Sequence, residues 1–455
     1  MLGHMNVRRL LIKLSIPAIA AMVFNALYNL VDTIFVGQGV NEEAIGALSI
    51  AYPIQLIVLS LGLMIGIGSA SVFARAYGAG DKQRMKRVVN MALLSNIVIS
   101  TVIAVVSLIF IEELLQLFGA VDDNIHYARE YLSVILIALV PYSLSITFNH
   151  LTRAEGRANV AMISLMIGAG LNILLDPFFI FDGFLGLGVR GAAMATGIAK
   201  TASFLFVIIM AHRPESALGI HLPSLHKVDP PMIVEIMKIG FPSFVRVSLG
   251  GILIIIVNNL LGVFAPVGQA AMYISIFGVI NRLMRFSLMP GFGLVQGLIP
   301  IVGFNFGAAF YGRLREGIRF GVRLMVIYFA FVFFMVLFFA EPLFSIFSDA
   351  PSPMFIEEGA RAFRFVALGF VFAVFPILLS SVYQAMGYAR RAFIVSVLRR
   401  FAFYVPFSLL FTYGFGLGVT GVWLAFFAAD FSAGAVSFAF YTHEMRTLKR
   451  AAATS

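Results

Sequence analysis

The sequence predicts an all-α polytopic membrane protein, with twelve transmembrane helices in two pseudo-symmetric six-helix lobes around a central cleft. Three observations predict it: the composition, the spacing of apolar runs with the charges between them, and an internal repeat. Of 455 residues, 60% are hydrophobic and 12% charged, which is not the balance of a soluble surface. Apolar runs of about 20 residues or more, enough to cross a bilayer, fall at 10–36, 46–74, 88–110, 128–151, 160–181, 190–211, 233–262, 270–302, 318–340, 360–384, 392–414 and 419–441. Several exceed what a bilayer needs, which implies tilt or protrusion. The first has a basic start but runs on through Val36, too long for a signal peptide, so it is read as a retained span.

Charge in the joints sets the orientation. Arg8, Arg9 and Lys13, Lys82 to Arg87, Arg153 and Arg157, Arg213 to Lys238, Arg313 to Arg319, Arg390 and Arg391, and Arg446 to Arg450 make one set of ends basic. The alternate joints carry Glu42 and Glu43, Glu112, Glu113, Asp122 and Asp123, Asp182, and Glu341, Asp349, Glu357 and Glu358. An excess of Lys and Arg marks the cytoplasmic side, so both termini are expected there in a multi-pass protein of the cell membrane. The net charge of +10 therefore reads as a topology signal, and nucleic acid is not an expected partner, since no basic face adjoins a folded polar domain. Cysteine is absent, which excludes disulfides, thiolate metal sites and Cys nucleophiles. The seven histidines form no H-x-x-x-H pair, so no metal of high affinity is expected.

The halves repeat each other. GLGVRGAAMATGIAKTAS (186–203) returns as GLGVTGVWLAFFAADFSA (416–433), an offset of 230 (416 less 186), and KLSIPAIA, YGAGDKQR and AEGRA return as KIGFPSFV, FGAAFYGR and AMGYA. Six spans per half start both copies on the same side, so the repeat is parallel, about an axis along the membrane normal. The division expected is 1–211 for the first lobe, 212–232 for a Pro- and His-bearing cytoplasmic linker, and 233–455 for the second lobe.

Along the chain, the first polar stripe is NALYNLVD (25–32), where Asn25, Tyr28 or Asn29, and Asp32 share one face of a helix. The second is LNILLDPFF, with Asn172 and Asp176 at i and i+4 and Pro177 disturbing the helix just after. A carboxylate at membrane depth costs about 2.5 to 3.5 kcal/mol on insertion scales and faces a bundle interior or a water cavity more often than lipid. Asp32 stands five residues before Gly37, Asp176 six before Asp182 and Thr196 five past Gly191. All three then lie roughly 8 to 9 Å from their outer ends, at one level. The alternative is that each acid reaches the outer interface alone. Two neighbouring carboxylates either share a proton or are bridged by a cation, and oxygens from Asp, Asn and Thr suit an alkali ion. The repeat puts Val257 or Asn258 opposite Asp32 and Val405 opposite Asp176, so only one lobe carries this chemistry.

Other charges sit in the spans. Lys200 and Asp430 occupy equivalent positions, and would pair across the pseudo-axis if they lay near it. Arg246, Arg282 and Arg285 either line the cleft and favour acidic or zwitterionic substrates, or cap helix ends and bond carbonyls, the reading preferred here. Most of the 47 Phe are expected to face lipid, and some, with the 20 Met, to line a pliable cavity. Pro17, Pro53, Pro141, Pro242, Pro290, Pro300 and Pro376 lie inside spans, where kinks are tolerated.

The openings IPAIAAMVFNALYNLVDTIFVG, RAYGAGDKQRMKRVV, FNHLTRAEGRANVAM, LNILLDPFFIF and GVRGAAMAT, in this order, resemble the multidrug and toxic compound extrusion (MATE) transporters over the whole chain, and within them the DinF-like branch. The resemblance implies two six-helix lobes that alternate between inward- and outward-open states and expel drug-like compounds in exchange for H+ or Na+, without a cofactor. It places Asp32, Asn172, Asp176 and Thr196 on the cation or proton site, with the Ala192 carbonyl as a further ligand and Tyr28 as the tyrosine bonded to the first aspartate. Where another branch carries acids in spans 7 and 10, this chain has Arg246 and Ser248, and Ser380, Ser381 and Gln384, a departure that implies coupling through the first lobe only. The partners implied are drug-like or amphipathic small molecules and membrane lipids, and a monomer is expected. A lipid-linked precursor flippase is the alternative, and would account for the arginines but not the paired acids. An intramembrane enzyme is disfavoured, because no nucleophile and base pair, metal motif or nucleotide loop appears.

Tags at both termini and in the 212–231 linker should all report from the cytoplasmic side. An external label on the linker would break the twelve-span reading.

Overall fold

Apolar runs with good helix formers and few internal breakers can satisfy their backbone in a membrane only as helices, and helices are what the chain forms. The structure is a computed structural model. It describes residues 1–40, 42–118, 122–219, 228–346 and 352–454, without the side chains of 29, 30, 33, 37, 42–47, 49, 50, 53, 58 and 122–124. The readings placed on Asn29, Glu42, Glu43, Pro53, Asp122, Asp123, Asp349 and most of the linker therefore lie outside the described residues.

The first six spans are α1 (Val7–Gly39), α2 (Glu42–Gly78), α3 (Lys82–Ile109), the pair α5 (Asp122–Ile137) and α6 (Leu139–Ala154), α7 (Ala158–Ile180) and α8 (Gly188–Ala211), with the short α4 (Ile111–Leu117) after α3. The last six are α9 (Pro230–Phe264), α10 (Ala270–Gly307), α11 (Tyr311–Ser345), the pair α12 (Pro353–Ala367) and α13 (Phe370–Met386), a mixed span from α14 (Ala389–Val397) through α15 (Val405–Leu409), and α16 (Gly418–Thr454). All twelve sequence-predicted spans correspond to these elements. The eleventh differs in kind, because two π-helical stretches, Leu398–Tyr404 and Leu410–Gly414, flank α15.

The repeat is written in the backbone. Spans 4 and 10 are the bent ones, by 54° and 49°, at Ala138 and Leu368, which are 230 apart (368 less 138). Pro141 explains the first bend, since it cannot donate to Ile137 and its ring crowds that turn. Left-handed backbone recurs in pairs too: Gly156 with Gly387, Gly186 with Gly416, Gly188 with Gly418, and Gly80 with Ala309 at φ 73° and 57°. Ala309 holds a conformation disfavoured for a side chain with a Cβ, because the turn it copies is required there. Elsewhere proline is absorbed: α1, α7, α9 and α10 run through Pro17, Pro177, Pro242, and Pro290 and Pro300.

Outward apolar stripes such as Val98, Val102, Val105 and Ile109 on α3, and Phe331, Phe334 and Phe338 on α11, are exposed and suit lipid. The lobes meet where α2 packs along α9 and α1 along α10. These crossings are tight because glycine faces backbone: a Cβ on Gly68 would overlap the Ile236 carbonyl, one on Gly240 the Met64 carbonyl, and one on Gly297 the backbone of Ser15. All lie toward the basic end. The same end is latched by Arg75 and Arg84, whose Nη2 atoms reach Glu235 at 3.1 and 2.8 Å, by Arg8 to Glu316 at 3.0 Å, and by Arg313 donating to the Leu2 and Met5 carbonyls at 3.0 and 2.7 Å. Gln384 touches this junction through its backbone carbonyl, which accepts from Ser71 Oγ of the first lobe, while its side chain donates within the second lobe to the Ile239 carbonyl at 3.1 Å and to Ser243 Oγ at 2.8 Å. Beyond these latches, the loop between α6 and α7 holds the start of the linker: Glu155 accepts from the Ala217 N–H and from Ser216 Oγ at 3.2 Å. Burial pushes the Glu155 carboxyl above the ordinary range, against the lowering pull of the Ala217 N–H and Arg157.

Gly240→Val should open the basic-end junction. We expect about 1–3 kcal/mol of lost stability from overpacking and faster maleimide labelling of a cysteine placed at Ser71, measured in this otherwise cysteine-free chain; unchanged labelling and melting would show that the crossing does not hold the lobes.

Candidate functional site

Asp32 on α1, Asn172 and Asp176 on α7, and Thr196 on α8 converge because their helices pack side by side at the acidic end of the first lobe. Asn172 Nδ2 donates to Asp176 Oδ1 at 3.1 Å and to Thr196 Oγ1 at 3.3 Å. The Asp32 carboxyl faces that of Asp176 within hydrogen-bonding reach. Neither carboxylate has a hydrogen to give, so the contact requires a proton or a cation. Asn172 Oδ1 and Asp176 Oδ2 are moreover buried and lack a hydrogen-bond partner. With Thr196 they form an oxygen set of the hardness that suits Na+. Pro177 leaves the α7 helix intact and takes only the donor for the Ile173 carbonyl.

The residues carried over from the resemblance are thus brought together. Ala192, one turn outward of Thr196 on α8, is buried beside Val36 and Ile180. Tyr28 stands one turn before Asp32 and is 8% exposed. Tyr131 and Tyr142 close the same pocket, Tyr131 accepting from Gln55 Nε2 at 2.8 Å.

Lys200 is a member of this site that sequence reasoning left without a role. Its Nζ lies 4.8 Å from the centre of the Tyr28 ring and 5.6 Å from that of Tyr142, within electrostatic reach of Asp32. The signal was present, since Lys200 is one turn past Thr196 on the same helix. The pairing of Lys200 with Asp430, which required both to lie near the pseudo-axis, does not form. Asp430 is gripped by Arg399 from the first π-helical stretch, through one guanidinium edge, with Nε donating to Oδ1 and Nη2 to Oδ2, the latter at 2.9 Å. Each of the two equivalent charges is satisfied within its own lobe.

The arginines also depart from expectation. Arg246 donates to Ser243 Oγ at 3.3 Å and Arg285 to Tyr52 Oη across the lobe junction at 2.8 Å, while Arg282 is exposed. Among the described hydrogen bonds none of the three goes to a backbone carbonyl, so the helix-capping reading fails.

Two like six-helix lobes that pack through α2 on α9 and α1 on α10, with buried polar groups clustered inside the first, are the architecture of a membrane transporter. The chain belongs to the MatE family, whose model matches residues 17–178 and 244–422. It is 26% identical over 413 residues to the multidrug export protein MepA of Staphylococcus haemolyticus, covering 90% of this chain and 87% of that protein. Among solved structures it resembles the outward-facing conformation of a multidrug resistance MATE family transporter of the MOP superfamily, at 25% identity and a TM-score of 0.89 over 99% of this chain and 98% of the other. It also resembles, at 25% identity and a TM-score of 0.89 over 98% of each chain, a MOP superfamily transporter from Pyrococcus furiosus described as having a binding pocket of reverse polarity that suggests a different function.

Arg399→Met should cost about 3–5 kcal/mol by leaving Asp430 buried and unpaired. Adding Asp430→Leu should restore most of that in a melting experiment, and failure to recover would show that the pair does more than cancel charge.

Proposed function

We propose that the protein exports drug-like compounds by alternating access in the cell membrane, with both termini in the cytoplasm, driven by H+ or Na+ at Asp32, Asp176, Asn172 and Thr196. The observation that carries the reading is the facing carboxylate pair with two buried, unpartnered oxygens beside it. Residues 1–211 act as the coupling lobe, 212–232 as the linker and 233–455 as the second lobe. Multidrug export by a relative matched over 87% of its own length supports the cargo class.

The mechanism follows from charge. A proton or sodium ion entering from the acidic end neutralises one of the two carboxylates and leaves Lys200 to balance the other. When the ion leaves, Asp32 falls back on Lys200, whose ammonium already rests on the Tyr28 and Tyr142 rings. That counter-charge lowers the cost of the empty site, and the loaded and empty sites differ in the conformation they favour, which is what coupling requires. The lobes, joined at the basic end by Gly68, Gly240 and the Glu235 latch, then correspond to an outward-open state. The flippase alternative is favoured by the second-lobe arginines but leaves the carboxylates without a task.

The test is efflux from proteoliposomes under separately imposed sodium and proton gradients. Asp32→Asn and Asp176→Asn should abolish uphill transport while melting is unchanged or raised, and Asn258→Ala should leave coupling intact. Normal pumping by Asp32→Asn would overturn the assignment.

A further inference from the structure

The second lobe carries more positive charge at mid-depth than its acids balance. Arg246 lies sixteen residues into α9, about 24 Å from its start. Arg399 and Arg400 sit on the first π-helical stretch, a wide-turned backbone found mostly at functional sites. Arg399 is spent on Asp430. Arg400 is turned toward α9, where a side chain at Gly250 would collide with its guanidinium, and Arg246, Arg285 and Asp430 lie within its electrostatic reach. From the first lobe His150 stands near both Arg246 and Arg153. Arg153 is 4% exposed, bonds Asn149 Oδ1 at 3.0 Å through Nε, and has a buried Nη1 without a partner. Among the described residues, the carboxylate within electrostatic reach of Arg400 is Asp430, already taken. Among the described hydrogen bonds, Arg246 has the Ser243 hydroxyl, Arg285 the Tyr52 hydroxyl and Arg400 none.

Charges this deep are costly without a partner, and an anion would supply one. Guanidinium offers a planar fork that fits carboxylate or phosphate. Beside the arginines, Phe403, Phe407, Phe411 and Phe415 stack in sequence with centres 6.1, 5.7 and 6.0 Å apart, an apolar track leading to the acidic end.

We propose that Arg246, Arg285 and Arg400 bind the anionic group of an amphipathic cargo, a carboxylate or phosphate whose apolar body lies along the phenyl track. Calling the ligand cargo rests on the transport reading, but the site itself does not. It is separate from the carboxylates of the first lobe, so one protein holds an anion site and a cation or proton site in opposite lobes.

The test is fluorescence anisotropy on the detergent-solubilised full chain, with 6-carboxyfluorescein as the anionic probe and rhodamine 123 as its cationic xanthene counterpart. Arg400→Met and Arg246→Met should each weaken carboxyfluorescein at least tenfold without weakening rhodamine 123. Arg400→Lys, which keeps charge but loses the fork, should fall between and serves if the Met variants melt early. Uphill transport by Asp32→Asn is read separately in proteoliposomes, so a failed coupling assignment and a failed anion site give different results. Displacement of the dye by phosphatidylglycerol, but not phosphatidylcholine, would assign the site to a lipid headgroup, and resistance to it would assign a soluble anion; either supports the site. Equal carboxyfluorescein binding in the parent and all three arginine variants would overturn it.

Discussion

A charge at membrane depth has to be neutralised, and the two lobes meet that demand differently. In the second lobe Asp430 is held by Arg399 through a bidentate pair, a fixed solution that no ligand need complete. In the first lobe Asp32 and Asp176 face each other with Lys200 as the counter-charge among the described residues, and buried oxygens are left over. A permanently satisfied acid contributes to the structure, whereas an acid that needs a mobile ion makes the structure sensitive to that ion. The repeat therefore produced two copies of one scaffold and two electrostatic outcomes.

The scaffold makes that difference usable. Lobes that cross through Gly68, Gly240 and Gly297 approach backbone to backbone, and such crossings rely on close packing rather than on a large apolar interface. The polar latches around Glu235 and Arg313 sit at the same end. Stability of the junction is thus concentrated in a short region. The bends at Ala138 and Leu368, placed symmetrically in spans 4 and 10, bring Tyr142 to Lys200 in one lobe and Gly369 against Asp430 in the other. The same local break serves a cation in one half and an anion in the other.

Much was determined by the sequence alone. Twelve apolar runs, alternating charge and a 230-residue offset define the helices, their order and the parallel repeat, because burial in lipid leaves a chain few alternatives. Asp32, Asp176 and Thr196 could be set at one level because helical rise converts residue counts into depth. Tertiary structure alone decided which charges meet. Lys200 joined the Asp32 site and Asp430 took Arg399, since equivalence in a repeat gives position within a lobe and not distance across the axis. The role of Arg400 was equally hidden: adjacent arginines in an apolar run read alike, and only the π-helical turn and the space left by Gly250 separate the one that is paired from the one that is free to bind.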